Sequence, residues 1–290
     1  MATKIRTITL DNIKKFNFPM VIGYFGSIHV MHSQLLATPR PFSILTFTDF
    51  ARKANSQLYP FEQRIDNLKQ FHANYILVYD LAKGNMKAEE FIQKVLLKIN
   101  PSMIIVGSNF KFGSDHKPYD LLKKYFPVQT VNQNNRVSST IIAQLLLDKK
   151  VEKANDLLFF PYYYESEWIG GQKLGRKIGF RTVNLLIKHR IFLSEGSYIS
   201  RLTIGSRKYN AITFYGKSKT RKATKCTLET HILHKHLMPR TLYPAKTRNH
   251  VKVEILKYLR PNTKYKNEKA LIAALNKDKE KAKQYFEHNK

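Results

Sequence analysis

Eleven residues, Gly175 to Leu185 (GRKIGFRTVNL), combine three residue types suited to phosphate chemistry. Gly175 and Gly179 permit backbone conformations that a Cβ would penalise. Arg176 and Lys177 bring fixed positive charge. Thr182 and Asn184 are short oxygen-bearing side chains two residues apart, so an extended segment puts both on one face. Such oxygens can ligate a hard cation, and a glycine backbone can approach phosphate closely, which is the chemistry of a magnesium–phosphate site. The same pattern also fits a glycine-bounded strand whose Thr and Asn face solvent.

A second constellation lies near the N-terminus. In GYFGSIHVMH, Gly23 to His32, the histidines His29 and His32 stand at i, i+3 where a helix should begin, so both can face one crevice. Two imidazoles at a helix N-terminus suit the phosphates of a nucleotide and the charge of a pentacovalent transition state; one core and one surface histidine would give the same letters. VSST, Val137 to Thr140, offers hydroxyls for phosphate or for ordinary helix capping. VGSNFKFG, Val106 to Gly113, reads as a strand end and a loop.

The elements that must carry these groups fall into two textures. Residues up to about 137 alternate short apolar runs (Val21–Gly23, Ser43–Phe47, Tyr75–Tyr79, Met103–Gly107) with helical periods (from His32, Pro60–Phe71, Ala88–Ile99). That alternation predicts a parallel sheet covered by helices. Two helices are expected next, Ser138–Leu147 and Val151–Phe160, the second ended by Pro161. From Tyr162 short β-rich runs follow at Tyr198–Ile204, Lys208–Phe214, Thr227–Leu233 and Val251–Leu259, the pattern of an antiparallel barrel or sandwich. Leu271, Leu275, Ala282 and Phe286 give the last thirty residues a helical period.

The chain has 290 residues, 43% of them hydrophobic, enough for two domains with real cores. Its formal charge is +29, denser in the second half, a field that attracts polyanions; the lysines are scattered rather than gathered in a stripe. Cys226 is the single cysteine, so no disulfide can form within the chain. No apolar leader or stretch of membrane-spanning length is found, and a cytoplasmic protein with no membrane partner is expected.

The order of the motifs resembles the bacterial bifunctional riboflavin kinase/FMN adenylyltransferase family, over nearly the whole chain. That family's G-x-F-D-G-x-H-x-G-H, V-G-x-D-F-x-F-G and S-S-T-x-I-R segments have counterparts here in the same order. Gly23, Phe25, His29, His32, Gly107, Phe110, Phe112, Gly113, Ser138, Ser139 and Thr140 match. The departures are Gly26 and Asn109 at acidic positions, Ser27 and Met31 at glycines, and Ile141 and Ala143 at basic positions. The two absent cations remove charge-assisted contacts of about 1.5–3 kcal/mol each.

In the second half, Gly175 to Leu185 resembles the family's G-R-x-L-G-F-P-T-A-N-L, with Arg181 for proline and Val183 for alanine. Gly196–Tyr198 resembles G-V-Y, Tyr209–Thr220 resembles a barrel strand and loop with Lys219 at a proline position, Leu228–Leu233 resembles V-E-x-H, and Tyr258–Tyr265 resembles L-R-x-E-x-x-F. The resemblance implies an α/β Rossmann-like nucleotidyltransferase domain over 1–160 and an antiparallel β-barrel riboflavin kinase domain with a C-terminal helix over 161–290. It implies Thr182 and Asn184 as contacts of magnesium-ATP, Glu229 as the catalytic carboxylate that accepts the proton of riboflavin's 5′-hydroxyl, and Arg260 on the flavin side. Asn109 joins the nucleotide-binding residues by its place in the second motif. The cofactors implied are Mg2+ and ATP, and the partners riboflavin, FMN and ATP, with no nucleic acid. The expectation is an active kinase with a reduced adenylyltransferase half. A fully bifunctional enzyme and a basic nucleotide- or RNA-binding scaffold are the alternatives. His231, His234 and His236 are not expected to converge on a metal from one strand.

Overall fold

The computed structural model describes residues 3–48, 57–81, 84–132, 137–169, 179–217, 225–233 and 250–289. The chain divides into two compact units. Met1–Ile142 with Leu157–Phe159 forms one, and Ala143–Asp156 with Phe160–Lys290 forms the other.

The first unit is built on six parallel strands: β1 (Lys4–Ile8), β2 (Pro19–Ile22), β3 (Ser43–Phe47), β4 (Tyr75–Tyr79), β5 (Met103–Gly107) and, after a small hairpin of β6 (Lys111–Phe112) and β7 (Lys117–Pro118), β8 (Val128–Val131). Their order across the sheet is β1-β4-β3-β2-β5-β8. The chain leaves β2 toward β3 on one side while β5 flanks it on the other. That reversal opens a crevice at the carboxyl ends of β2 and β5, where ligands of open α/β sheets bind. The central strands are continuous apolar runs because both faces are covered: Ile44, Leu45, Ile76, Leu77, Ile104 and Val106 are fully buried. Helices α1 (Val30–Leu36) and α2 (Phe61–Lys69) pack on β5 and β4. The amphipathic run from Ala88 to Ile99 is helical throughout but changes winding. An α turn, α3 (Ala88–Phe91), passes through a π segment (Ile92–Leu96) into α4 (Leu97–Ile99), keeping Phe91, Ile92, Val95, Leu96 and Ile99 in the core.

Three sequence expectations shift. α1 begins at Val30, two residues before His32, because His29 itself is the N-cap. α5 (Ser139–Leu147) starts one residue later than expected, since Ser138 caps it through Oγ. α6 (Val151–Leu157) stops three residues short of Phe160. There Leu158 bridges to His29 and the Phe159 amide donates to the Ile28 carbonyl, so the chain leaves the helix to pair with the histidine loop.

The second unit is a closed barrel. Its strands are β9 (Tyr163–Ile169), β10 (Val183–Leu185), β11 (Gly196–Ile204), β12 (Arg207–Gly216), β13 (Thr227–Ile232) and β14 (His250–Pro261), in the order β10-β13-β12-β11-β14-β9. Closure removes the edge strands that an open antiparallel sheet would expose. The hydroxyls of Ser200, Thr213 and Thr230 hydrogen-bond one another in the buried interior. The last helix, Glu268–His288, lays Ala282 and Phe286 against Ile199, Ile212 and Leu256. Asn267 caps it by accepting from the Ala270 amide.

Candidate functional site

In the first unit the sequence motifs meet at the crevice. Gly23 follows β2, and a Cβ there would lie 2.7 Å from the Phe25 ring, so only glycine lets that ring close over the strand end. Phe25 itself is left-handed, with φ +54°, which turns the chain sharply toward His29. The imidazoles of His29 and His32 stack with centroids 3.7 Å apart and planes 17° from parallel, and Phe25 meets His32 edge-on at 5.1 Å.

Hydrogen bonding separates the roles of the two rings. His29 Nδ1 accepts from the His32 amide at 3.3 Å, so its proton sits on Nε2. His32 Nδ1 lies 2.8 Å from the Ser27 carbonyl, which can only accept, so His32 carries a proton on Nδ1. Burial holds the His29 imidazole down at about 4, so it is a neutral donor at pH 7. A second charge 3.7 Å away would be strongly disfavoured.

A cavity of about 770 Å3 opens beside this pair. Gly23, Phe25, His32, Gly107 and Asn109 line it, while Phe47, Phe91, Phe110 and Phe112 give it an aromatic wall. Five of the N-terminal site residues expected from sequence are thus brought to one space. The hydroxyl-rich helix entry divides its work. Ser138 caps α5, Ser139 Oγ lies 2.8 Å from Ser27 Oγ, and Thr140 is exposed.

Two contributors were not legible beforehand. Ser27, buried at a position the resemblance gives to glycine, links the histidine loop to Ser139 across 112 residues of sequence. Arg64 is 1% exposed. It donates to the Tyr24 carbonyl and, at 2.8 Å, to that of Phe47, with its guanidinium over the Tyr24 ring at 4.2 Å. It ties the carboxyl ends of β2 and β3 together at the cavity. An arginine on an amphipathic helix otherwise reads as a solvent charge.

In the second unit, Gly175 and Arg176 lie outside the described residues, as do His234 and His236. Gly179 is left-handed at φ +79°, and Thr182 follows it in the approach to β10. In the antiparallel ladder of β10 and β13, Asn184 is the direct partner of Glu229, and Val183 of Thr230. Directly opposed side chains share a face with Cβ atoms about 4.5–5.5 Å apart. Asn184 Oδ1 is buried and has no hydrogen-bond partner among the described residues. Thr227 Oγ1 donates to Glu229 Oε1 at 3.0 Å and fixes the carboxylate from two residues away on the same face. His231, the next on that face, has Nδ1 2.8 Å from the Arg181 carbonyl and packs on Phe180.

Arg260 ends β14 and is bound to the last helix. Its Nε lies 3.0 and 2.9 Å from the two oxygens of Asp278, and Nη2 adds a contact of 2.8 Å. Asp278 is 2% exposed. Burial pushes its carboxyl up, with Arg260 pulling the other way. The Tyr265 ring covers the guanidinium at 5.6 Å.

An orphaned buried amide oxygen beside a carboxylate and a threonine fits a hard cation, for which oxygen ligands are preferred. Among the described residues no group of three His, Cys, Asp or Glu residues could hold a metal; His234 and His236 lie outside them.

Comparison with known proteins follows the same division. Residues 13–141 match the family described as FAD synthetase, and residues 158–286 match that described as riboflavin kinase. The trifunctional protein RibF/MnmA of Mycoplasmoides gallisepticum is 34% identical over 97% of this chain, which spans 42% of that protein's length. The bifunctional riboflavin kinase/FMN adenylyltransferase of Mycoplasma pneumoniae is 27% identical, over 92% of this chain and 97% of the relative. A crystal structure described as a macrolide-efflux protein of Streptococcus pneumoniae matches with TM-score 0.81 and 25% identity, covering 96% of this chain and 98% of that one. No helix among the described residues of the present chain is long and apolar enough to cross a membrane.

Proposed function

This chain belongs to the bifunctional riboflavin kinase/FMN adenylyltransferase family, and from that premise we propose that its barrel unit transfers the γ-phosphoryl group of ATP to riboflavin. The observation that carries this reading is the opposition of Asn184 and Glu229, with the amide oxygen lacking a partner among the described residues. Asn184 Oδ1 and the Thr182 hydroxyl would hold magnesium. When bound, the ion neutralises charge on the triphosphate oxygens. Glu229 takes the proton of the ribityl 5′-hydroxyl as that oxygen bonds to the γ-phosphorus and the bond to ADP breaks. Thr227 keeps the carboxylate aimed by donating to one oxygen, leaving the other for the substrate. Gly175 and Arg176 belong to the phosphate side. Arg260 belongs to the riboflavin side, with Nε and Nη2 committed to Asp278.

The first unit is read as the FMN adenylyltransferase, in which an FMN phosphate oxygen attacks the α-phosphorus of ATP and pyrophosphate leaves. His29 supplies a neutral N–H and His32 an imidazole that lines the cavity, with Gly23, Phe25, Gly107 and Asn109 around the nucleotide and Ser138, Ser139 and Thr140 at the helix entry. This half is the slower one, since Ile141 and Ala143 carry no charge toward the triphosphate. The boundary between the two activities is placed near residue 160.

The test is incubation with riboflavin, then with FMN, each with magnesium-ATP, separating FMN and FAD by chromatography. FMN appears in the first reaction. FAD appears slowly in the second and is lost in His29→Asn, which keeps an N-cap acceptor. No FMN, together with salt-sensitive RNA binding, would favour the scaffold reading instead.

A further inference from the structure

Strand β13 does more than present Glu229. Thr227, Glu229 and His231 share one of its faces by strand alternation. Thr227 holds the carboxylate, while His231 reaches off the strand to the Arg181 carbonyl, one residue before Thr182 and three before Asn184. A carbonyl oxygen only accepts, so Nδ1 of His231 carries the proton whatever the state of Nε2. The ring is 8% exposed and packs on Phe180 at 4.9 Å between centroids. It therefore grips the segment at two consecutive residues, by packing at 180 and by a hydrogen bond at 181. Beyond the grip, the ladder with β13 takes over at Val183. The segment enters from Gly179 in a left-handed conformation, and Arg181 stands where a proline would stiffen it.

We infer that His231 is a positioning residue for the phosphoryl transfer: its Nδ1–H fastens the Arg181 carbonyl so that Thr182 and Asn184 are presented together opposite Glu229. The inference rests on the kinase reading above. In this arrangement one strand orients both the base and the oxygens that face magnesium-ATP. The histidine compensates for the freedom that Gly179 and Arg181 leave in the approach. The proton of the 5′-hydroxyl is assigned to Glu229, and the part given to His231 is that of holding the segment in place.

Asparagine and glutamine separate the roles of the two ring nitrogens. The Asn amide nitrogen falls near Nδ1, and the Gln amide nitrogen falls near Nε2. Magnesium-ATP affinity is measured by calorimetry, and KM and kcat for FMN formation are measured across pH. In His231→Ala and His231→Gln, the Kd and KM for magnesium-ATP should rise about tenfold, the worth of one buried hydrogen bond, with kcat nearly retained. His231→Asn should return both to within about threefold of the native protein, and the pH dependence of kcat should be the same in all. Equal affinities in Asn and Gln variants would overturn the inference, as would a loss confined to kcat or a changed acid limb. If His231→Ala fails to fold, the Asn and Gln pair still decides. A native protein that makes no FMN would sink the kinase reading, while the order of magnesium-ATP affinities would still judge His231.

Discussion

Asn184 and Glu229 stand directly opposite each other on β10 and β13, forty-five positions apart in sequence and paired in register. The pairing gives one barrel face a neutral oxygen donor and a carboxylate at fixed separation. A phosphoryl-transfer centre needs both. Charge on the phosphate must be met by hard ligands, and the attacking hydroxyl must lose its proton nearby. A rigid ladder holds such a pair better than two loops would.

Keeping a buried oxygen without a partner costs stability, about 1–3 kcal/mol for a neutral group. Asn184→Leu should therefore melt no lower than the native protein, followed by circular dichroism. Its magnesium-ATP affinity should fall by about 10- to 100-fold. A lower melting temperature with unchanged affinity would mean that Asn184 is a structural residue.

The Arg260–Asp278 pair predicts a different asymmetry. Arg260→Ala takes the ion-pair partner from a carboxylate with 2% exposure, leaving it the Ser197 hydroxyl and the Lys281 charge, which should cost at most about 3–5 kcal/mol. Replacing both partners, as Arg260→Met with Asp278→Leu, should recover most of that loss. Urea unfolding followed by Trp168, the chain's single tryptophan and a residue of β9, reads the barrel unit directly.

His29 makes the first unit sensitive to acid. Its folded-state value near 4 lies below the ordinary 6.5 because of burial, so the unfolded chain binds the extra proton first. Stability from this group is complete above about pH 6.5 and is lost as pH falls toward 4, by up to about 3 kcal/mol. Thermal melts between pH 7 and 4 should show this slope in the native protein and a shallower one in His29→Asn. Parallel slopes would remove His29 as the cause.

Much of this could be read from residue order. The apolar runs 43–47, 75–79 and 103–107 are the strands β3, β4 and β5, because a strand covered on both faces must be apolar at every position. β8 was not legible, since an edge strand with half-exposed residues carries no such run. β10 was legible as an extended, glycine-bounded segment, but three residues gave no sign that Asn184 would pair with Glu229. Alternation around Glu229 put His231 on its face, but nothing in the sequence said that the ring would reach Arg181, fifty residues earlier. The helical period of the last thirty residues was plain, while the burial of Asp278 against Arg260 depends on where β14 runs. The Ser27–Ser139 contact likewise joins segments that only the folded sheet brings together.

The central claim is that Glu229 is the base of a riboflavin kinase held opposite a magnesium–phosphate ligand. The direct measurement is FMN formation from riboflavin and magnesium-ATP by native protein and Glu229→Gln, with magnesium-ATP affinity measured on both. The account predicts that Glu229→Gln binds magnesium-ATP as the native protein does and forms FMN about 100- to 10,000-fold more slowly. A variant that keeps the native rate would contradict it.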